Sequence, residues 1–188
     1  MHFSFRMLEE QMVEEENPVG GAYCDRAKAH PEAVRLMPED FFWNTADDFT
    51  PFGSDEGSES YHSWREWRQQ NPTSSSFEYI AGILDGRPQD YNDALLEAAR
   101  IEAALDPHNY DDEDPFETSY DPWTLDVTII ATGLSQLVDE GRIDPETKPL
   151  MRTAVKRQRS SVWRTSTWSE GAFETDVLDA IDRVIEAA

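Results

Sequence analysis

Glu59 and His62 are the residues whose types and spacing come nearest to a known chemistry. A carboxylate and an imidazole three positions apart share one face of a helix, and carboxylate-bridged di-iron bundles use such pairs as ligands. Those bundles need two pairs and two further glutamates, whereas this chain has one pair. With Asp55 close in sequence, the pair indicates a metal-binding or enzymatic site at Asp55, Glu59 and His62. A solvated polar start of a helix is the interpretation that we favour.

A second acidic segment, residues 106–121, reads DPHNYDDEDPFETSYD. Its two prolines and its lack of aliphatic residues predict an exposed loop. The acidic run within it lacks the alternating ligands and the central glycine of an EF-hand calcium loop. We therefore interpret Asp111, Asp112 and Asp114 as solvated charges that are available to a partner protein.

Sequence signatures of common enzymes do not occur in this chain. There is no phosphate-binding GxxxxGK[ST] loop, no GxGxxG motif after a strand, no HExxH and no GxSxG elbow. The question of enzymatic activity stays open, but the pattern favours a protein without catalytic function, for which we expect no cofactor.

The chain has a formal charge of −23, from 39 acidic and 16 basic residues. Such an excess opposes direct binding to nucleic acids and to anionic membranes. The sign inverts between Lys148 and Arg164, where basic residues are interleaved with Trp163 and no acid occurs. One interpretation is a nucleic-acid or phosphate patch. The other, which we prefer, is a set of internal counter-ions for the acids of residues 106–121 or 54–59.

Cys24 is the single cysteine, which excludes an intramolecular disulfide. The first residues turn acidic instead of forming a signal peptide, and no apolar run approaches membrane-spanning length. We expect a cytoplasmic protein that binds no membrane. Acid excess with few lysines is also typical of salt-adapted or GC-rich proteomes, so the acidity need not reflect a function.

The aromatic and glycine-punctuated segment 41–67 is expected to organise the fold. Gly53 and Gly57 bracket a turn, and each is expected there for its backbone geometry. A helix follows, with Tyr61, Trp64 and Trp67 spaced along one buried stripe and Ser58 or Asp55 as its N-cap.

Apolar residues at helical spacing predict further helices along most of the chain. Proline or capping residues start most of them, and Gly86 and Gly141 end two of them. The predicted helices cover residues 30–37, 73–84, 88–105, 122–140, 144–162 and 169–186. The N-terminal sixteen residues begin as a short strand or lie wholly in a helix. We therefore predict a mainly α, single compact domain over residues 1–188, with six to eight helices and at most a minor N-terminal strand or small sheet.

Residues 37–72, MPEDFFWNTADDFTPFGSDEGSESYHSWREWRQQNP, resemble a segment of uncharacterised bacterial proteins described as YfeS-like. The resemblance lies in the PFGSDEG turn between an aromatic-acidic lead and an aromatic helix. Some descriptions of that family mention a WGR domain, but no Trp-Gly-Arg occurs here, so a nucleic-acid role does not follow. The family supplies no catalytic residue to transfer.

Together these patterns predict a non-enzymatic, immunity-like or regulatory protein of the bacterial cytoplasm that binds another, basic protein. Complementary charge speeds such encounters, and aromatic anchors hold the complex. The predicted binding residues combine carboxylates and indoles, namely Asp55, Glu56, Trp64, Trp67, Asp111, Asp112 and Asp114. The alternative is the metal-binding or enzymatic site at Asp55, Glu59 and His62.

Overall fold

Helices account for all the regular structure in residues 24–106, 122–165 and 173–188, which are the residues that this computed structural model describes. The α-helices are α1 (Pro31–Leu36), α2 (Asp55–Gln70), α3 (Ser76–Ile83), α4 (Ala98–Ala104), α5 (Pro122–Glu140), α6 (Thr147–Arg159), α7 (Ser161–Thr165) and α8 (Thr175–Ala187). Shorter 3₁₀ helices cover Asp40–Trp43, Pro88–Asp90 and Asp93–Leu96. The predicted mainly α class is confirmed. The expected N-terminal strand lies outside the described residues, as does the acidic loop beyond Asp106.

Helix α5 lies at the centre of the fold, as its broad apolar face predicts. It begins at Pro122, as predicted, and every residue from Asp126 to Val138 is buried. Helices α1, α2, α3 and α6 all pack against it. The helix ends before Gly141, whose φ of +73° lies in the left-handed region that glycine adopts without strain.

Helix α6 approaches α5 closely at Gly133. A Cβ atom on Gly133 would lie 2.2 Å from the sulfur of Met151, which is itself fully buried. The opposite side of α6 packs against α8. Helix α8 buries Val177, Leu178, Ile181, Val184 and Ile185 as its spacing predicts.

A buried polar network joins the starts of α3 and α6 to α5. Asp144 accepts hydrogen bonds from the Ser76 backbone N–H at 2.9 Å and from Gln136 Nε2 at 2.9 Å, and Arg142 also donates to it. The Ser76 and Thr147 hydroxyls lie 2.7 Å apart. Burial raises the pKa of Asp144, but these hydrogen bonds outweigh burial and hold the pKa below its usual value. The carboxylate therefore stays charged while it fixes three helices.

The prediction of a single helix over residues 88–105 is wrong. The chain forms two 3₁₀ helices and then α4, because Asn92 takes an extended conformation and its side chain accepts a hydrogen bond from Ala94 N–H. Asn92 thus acts as a cap inside the predicted helix. The apolar spacing was nevertheless informative, since Tyr91, Ile101 and Leu105 are buried.

Three further predicted boundaries differ. Helix α6 begins at Thr147 with Glu146 at its N-cap position, later than the predicted N-cap Asp144. Helix α6 ends at Arg159 instead of continuing to Val162, because Ser160 is extended and starts the short α7. The last helix begins at Thr175, later than the predicted residue 169, although residues 169–172 lie outside the described part.

Candidate functional site

The start of α2 is fixed by backbone packing at Gly53, in the turn before the helix, and at Gly57, in its first turn. Neither glycine has a positive φ, so the backbone geometry that requires glycine here is not a left-handed conformation. Instead, a Cβ on Gly53 would lie 2.0 Å from the carbonyl oxygen of Asp47, and one on Gly57 would lie 2.2 Å from that of Pro51. Only glycine allows these approaches. The chain is thereby held where α2 must begin.

Ser54 is the N-cap of α2, in place of the predicted Ser58 or Asp55. Its hydroxyl accepts a hydrogen bond from Gly57 N–H at 3.1 Å, and its backbone is extended. Asp55 and Glu56 therefore lie in the first turn, where their negative charges complement the positive end of the helix.

The buried side of α2 carries the aromatic stripe. Trp64 is fully buried, with ring centroids 5.7 Å from Trp67 and 5.8 Å from Tyr79. Trp64 is therefore a core residue, and its predicted role as a surface anchor is not compatible with this structure. Trp67 is half-buried and retains some exposed surface.

The opposite side of α2 is acidic and faces solvent. Asp55, Glu59 and Glu66 are exposed and His62 is half-buried, and steps of three and four residues place all four on one helical face. Within the described residues, none of the three carboxylates forms an ion pair. These four residues are called the α2 acidic face below. Phe49, 46% exposed, lies in the loop that leads into α2.

The cations of α2 point away from this face, toward α5. Arg65 pairs with Asp139 at 3.2 Å, and Arg68 pairs with Glu140 at 2.6 Å. Burial raises the pKa of Asp139 despite the opposing effect of Arg65. The helix therefore separates its charges, with bases against α5 and acids toward solvent.

The basic segment of α6 is used internally, as predicted, and its partners in the described part are acids other than those of residues 54–59. Arg152 pairs with Glu186 at 2.7 Å, Lys156 with Asp93 at 2.9 Å, and Arg159 with two aspartates of α8. No acid of residues 54–59 takes part, and most of residues 106–121 lie outside the described part. Among the described lysines and arginines, all except Arg87, Lys148 and Arg164 form an ion pair, and Arg164 donates to the Phe173 carbonyl.

A buried charged cluster at Asp126 was not predicted. Asp126 is fully buried, its carboxylate lies 3.3 Å from the Arg157 Nε atom, and the Tyr91 hydroxyl donates to it. Arg157 is 5% exposed and also donates to the Pro122 carbonyl. Burial and the neighbouring Asp126 raise the pKa of Tyr91 well above its usual value, so the phenol remains a hydrogen-bond donor. No spacing rule connects three residues so distant in sequence.

The predicted metal ligands do not form a recognisable metal site. Asp55, Glu59 and His62 share the α2 acidic face, but no group of three or more His, Cys, Asp or Glu side chains in the described part is placed to hold a metal ion. Asp111, Asp112 and Asp114 lie outside the described residues. Cys24 is buried, and burial with the nearby Asp139 raises its thiol pKa to about 12, so it is a poor nucleophile.

Comparison of the chain with models of protein families, with curated proteins and with solved structures gives no match. The resemblance of residues 37–72 to YfeS-like proteins therefore stays a prediction, and no residue role is taken from it. In the three described ranges, no helix combines the length and the apolar character that crossing a bilayer requires.

Proposed function

We propose that this protein is a non-enzymatic binding module that recognises a basic partner protein through the α2 acidic face and the neighbouring Phe49. The observation that supports the proposal is the distribution of charge. Nearly all described cations are neutralised by acids of the same chain, whereas Asp55, Glu59 and Glu66 have no cationic partner among the described residues.

Carboxylates that are exposed and unpaired keep their hydration until a partner replaces it. Attraction between such a face and a basic surface accelerates association, and the acceleration falls as salt screens charges beyond roughly 10 Å at 0.1 M. The net charge of −23 extends this attraction beyond the contact itself. Phe49 supplies the exposed apolar surface that a purely electrostatic contact lacks.

The partner is expected to present lysine or arginine side chains around an apolar pocket for Phe49. Glu56 and Trp67, which are half-buried beside the α2 acidic face, fit the rim of such a contact. Asp111, Asp112 and Asp114 stay in the proposal as a second acidic element. We also propose a cytoplasmic location, because a reducing compartment suits the buried, unpaired thiol of Cys24.

The test compares partner capture by three forms of the full chain. One is the wild type, and the second carries D55N, E59Q and E66Q. The third is a matched control, D90N, E102Q and E146Q, which removes the same charge from exposed acids that form no ion pair among the described residues. We expect one basic protein to bind the wild type and the control but not the α2 variant, with an association rate that falls as salt rises.

Two results contradict the proposal. A specific partner retained by the α2 variant would place the interface elsewhere on the molecule. Equal loss in the α2 variant and in the control would mean that net charge alone attracts the partner. F49S tests the apolar contact of Phe49 separately from the long-range attraction by the acidic charges. It is expected to increase the dissociation rate and to leave the association rate nearly unchanged.

A further inference from the structure

A cleft of about 420 Å³ lies between α6 and the segment that includes the 3₁₀ helix Asp93–Leu96. Its size falls within the range of small-molecule sites in proteins, roughly 300 to 1,000 Å³. Tyr91 and Asp93 line one side, and Arg152, Thr153 and Lys156 line the other. The cleft is separate from the α2 acidic face.

The α6 side of the cleft presents hydrogen-bond donors. Arg152 and Lys156 are one helical turn apart and therefore lie on the same face of α6. The Thr153 hydroxyl lies beside them and makes no hydrogen bond with any described residue. Lys148, one turn before Arg152, forms no ion pair in the described part of the chain. In a chain with a net charge of −23, three cations therefore lie along one face of α6.

The present partners of these cations are exchangeable. The Lys156 and Asp93 side chains are 48% and 67% exposed, and the Arg152 and Glu186 side chains are 38% and 81% exposed. Exposed pairs of this kind contribute little to stability. A ligand with two or three charged oxygens can therefore replace the two carboxylates at small expense. An arginine fork and an ammonium group suit phosphate oxygens well.

The side of the cleft that Tyr91 forms is fixed by packing. Tyr91 is 4% exposed, its hydroxyl is held by the buried Asp126, and the Arg157 guanidinium lies 5.5 Å from its ring centroid. This packing fixes the position of one wall before any ligand enters. Preorganised walls reduce the entropy lost on binding.

Acidic residues next to the cations limit the size of the ligand. Asp93 and Glu186 flank Lys156 and Arg152, and Asp179 and Asp182 of α8 flank Arg159 on the same face of α6. A long polyanion would meet these carboxylates, whereas a compact anion would not extend to Asp179 and Asp182. We infer that this cleft is a binding site for a small phosphate monoester, held by Arg152, Lys156 and Thr153.

The experiment is a titration of the ¹⁵N-labelled full chain with phenyl phosphate, followed by amide chemical shifts. We expect saturable shifts at Asp93 and Thr153. The R152Q/K156Q variant should weaken affinity by about tenfold or more, since a hydrogen bond to a charged group contributes about 1.5 to 3 kcal/mol. The control R35Q/R100Q removes two arginines from exposed ion pairs outside the cleft, and its affinity should match the wild type.

D93N distinguishes ligand binding by Lys156 from a purely structural role of the Lys156–Asp93 ion pair. Asp93 competes with the ligand for Lys156, so its neutralisation should tighten phenyl phosphate binding by about two- to fivefold. The single variants R152Q and K156Q should each give an intermediate affinity.

Several results would overturn the inference. One is the absence of shifts at cleft amides up to about 20 mM phenyl phosphate, a range that detects millimolar affinity. A second is an affinity that does not change in R152Q/K156Q. Equal binding of benzoate would refute the preference for phosphate. Tighter binding of a single-stranded RNA, lost in the same variant, would make the face a nucleic-acid surface instead.

Discussion

Replacement of Arg157 by methionine should severely destabilise the fold. Methionine is uncharged, unbranched and flexible, so it replaces the aliphatic part of the arginine side chain and removes the cation. Its partner Asp126 is fully buried and would lose the cation beside it, while Arg157 itself is 5% exposed. The matched control is R159M, two residues further along the same helix. The Arg159 side chain is 31% exposed and pairs with two partly exposed aspartates.

The expected magnitudes of the two substitutions differ several-fold. Breaking a buried ion pair by removing one partner costs about 3 to 5 kcal/mol, because the remaining charge stays desolvated. An exposed pair contributes about 0 to 1 kcal/mol, so R159M should cost no more than about 1 to 2 kcal/mol for its two contacts. The double variant D126L/R157M removes both charges and should recover much of the loss.

Urea denaturation followed by tryptophan fluorescence provides the measurement. With a slope of about 2 kcal/mol per molar urea, R157M should lower the midpoint by roughly 1.5 to 2.5 M. A shift as small as that of R159M would refute the reasoning, because it would show that Asp126 is either hydrated or protonated when Arg157 is absent. A double variant less stable than R157M would show that packing, not charge, dominates.

Three further predictions concern the turn, pH and salt. G53A and G57A should each lower the free energy of unfolding by about 1 to 3 kcal/mol, because their Cβ atoms would overlap backbone carbonyl oxygens. G82A has open space around it in α3 and should raise the free energy of unfolding by about 0.4 to 1 kcal/mol. Equal urea midpoints for all three variants would contradict this. The hydrogen bond from Arg183 lowers the pKa of Glu39 below 4.5, so R183Q should reduce stability above that pH by up to about 1 kcal/mol. Thermal melts between pH 7 and 3 should show this difference disappearing as the pH falls through the lowered pKa. Added NaCl should raise the melting temperature by screening the repulsion within a chain of charge −23, and a steady fall toward molar salt would refute that expectation.

Local signals in the sequence were sufficient for the central helix. Proline at position 122 and glycine at position 141 delimit α5, and an apolar pattern that covers most of the circumference indicates burial on all sides. The same reasoning failed over residues 88–105. There, apolar spacing fits a helix, but the side chain of Asn92 offers the backbone a competing hydrogen bond.

The α2 acidic face and the cleft also differ in how far local sequence patterns could predict them. The α2 acidic face follows from helical spacing alone, so Asp55, Glu59 and His62 were placed together correctly. Periodicity did identify the buried stripe, but treating Trp64 as a surface anchor ignored that the same stripe faces the core. The cleft depends on contacts such as Lys156 with Asp93, 63 residues apart, which no local pattern encodes. The inversion of charge sign after residue 147 was its one visible signal.

The contact between Gly133 and Met151 links the evolutionary variation allowed at two positions. A residue with a Cβ atom fits at position 133 only if the side chain at position 151 is smaller or moves away, since that Cβ would lie 2.2 Å from the Met151 sulfur. A larger residue on α5 alone must displace the buried Met151 side chain, and a smaller residue on α6 alone leaves a void in the core. The two positions should therefore covary in related sequences, with their summed volume more constant than the volume of either residue.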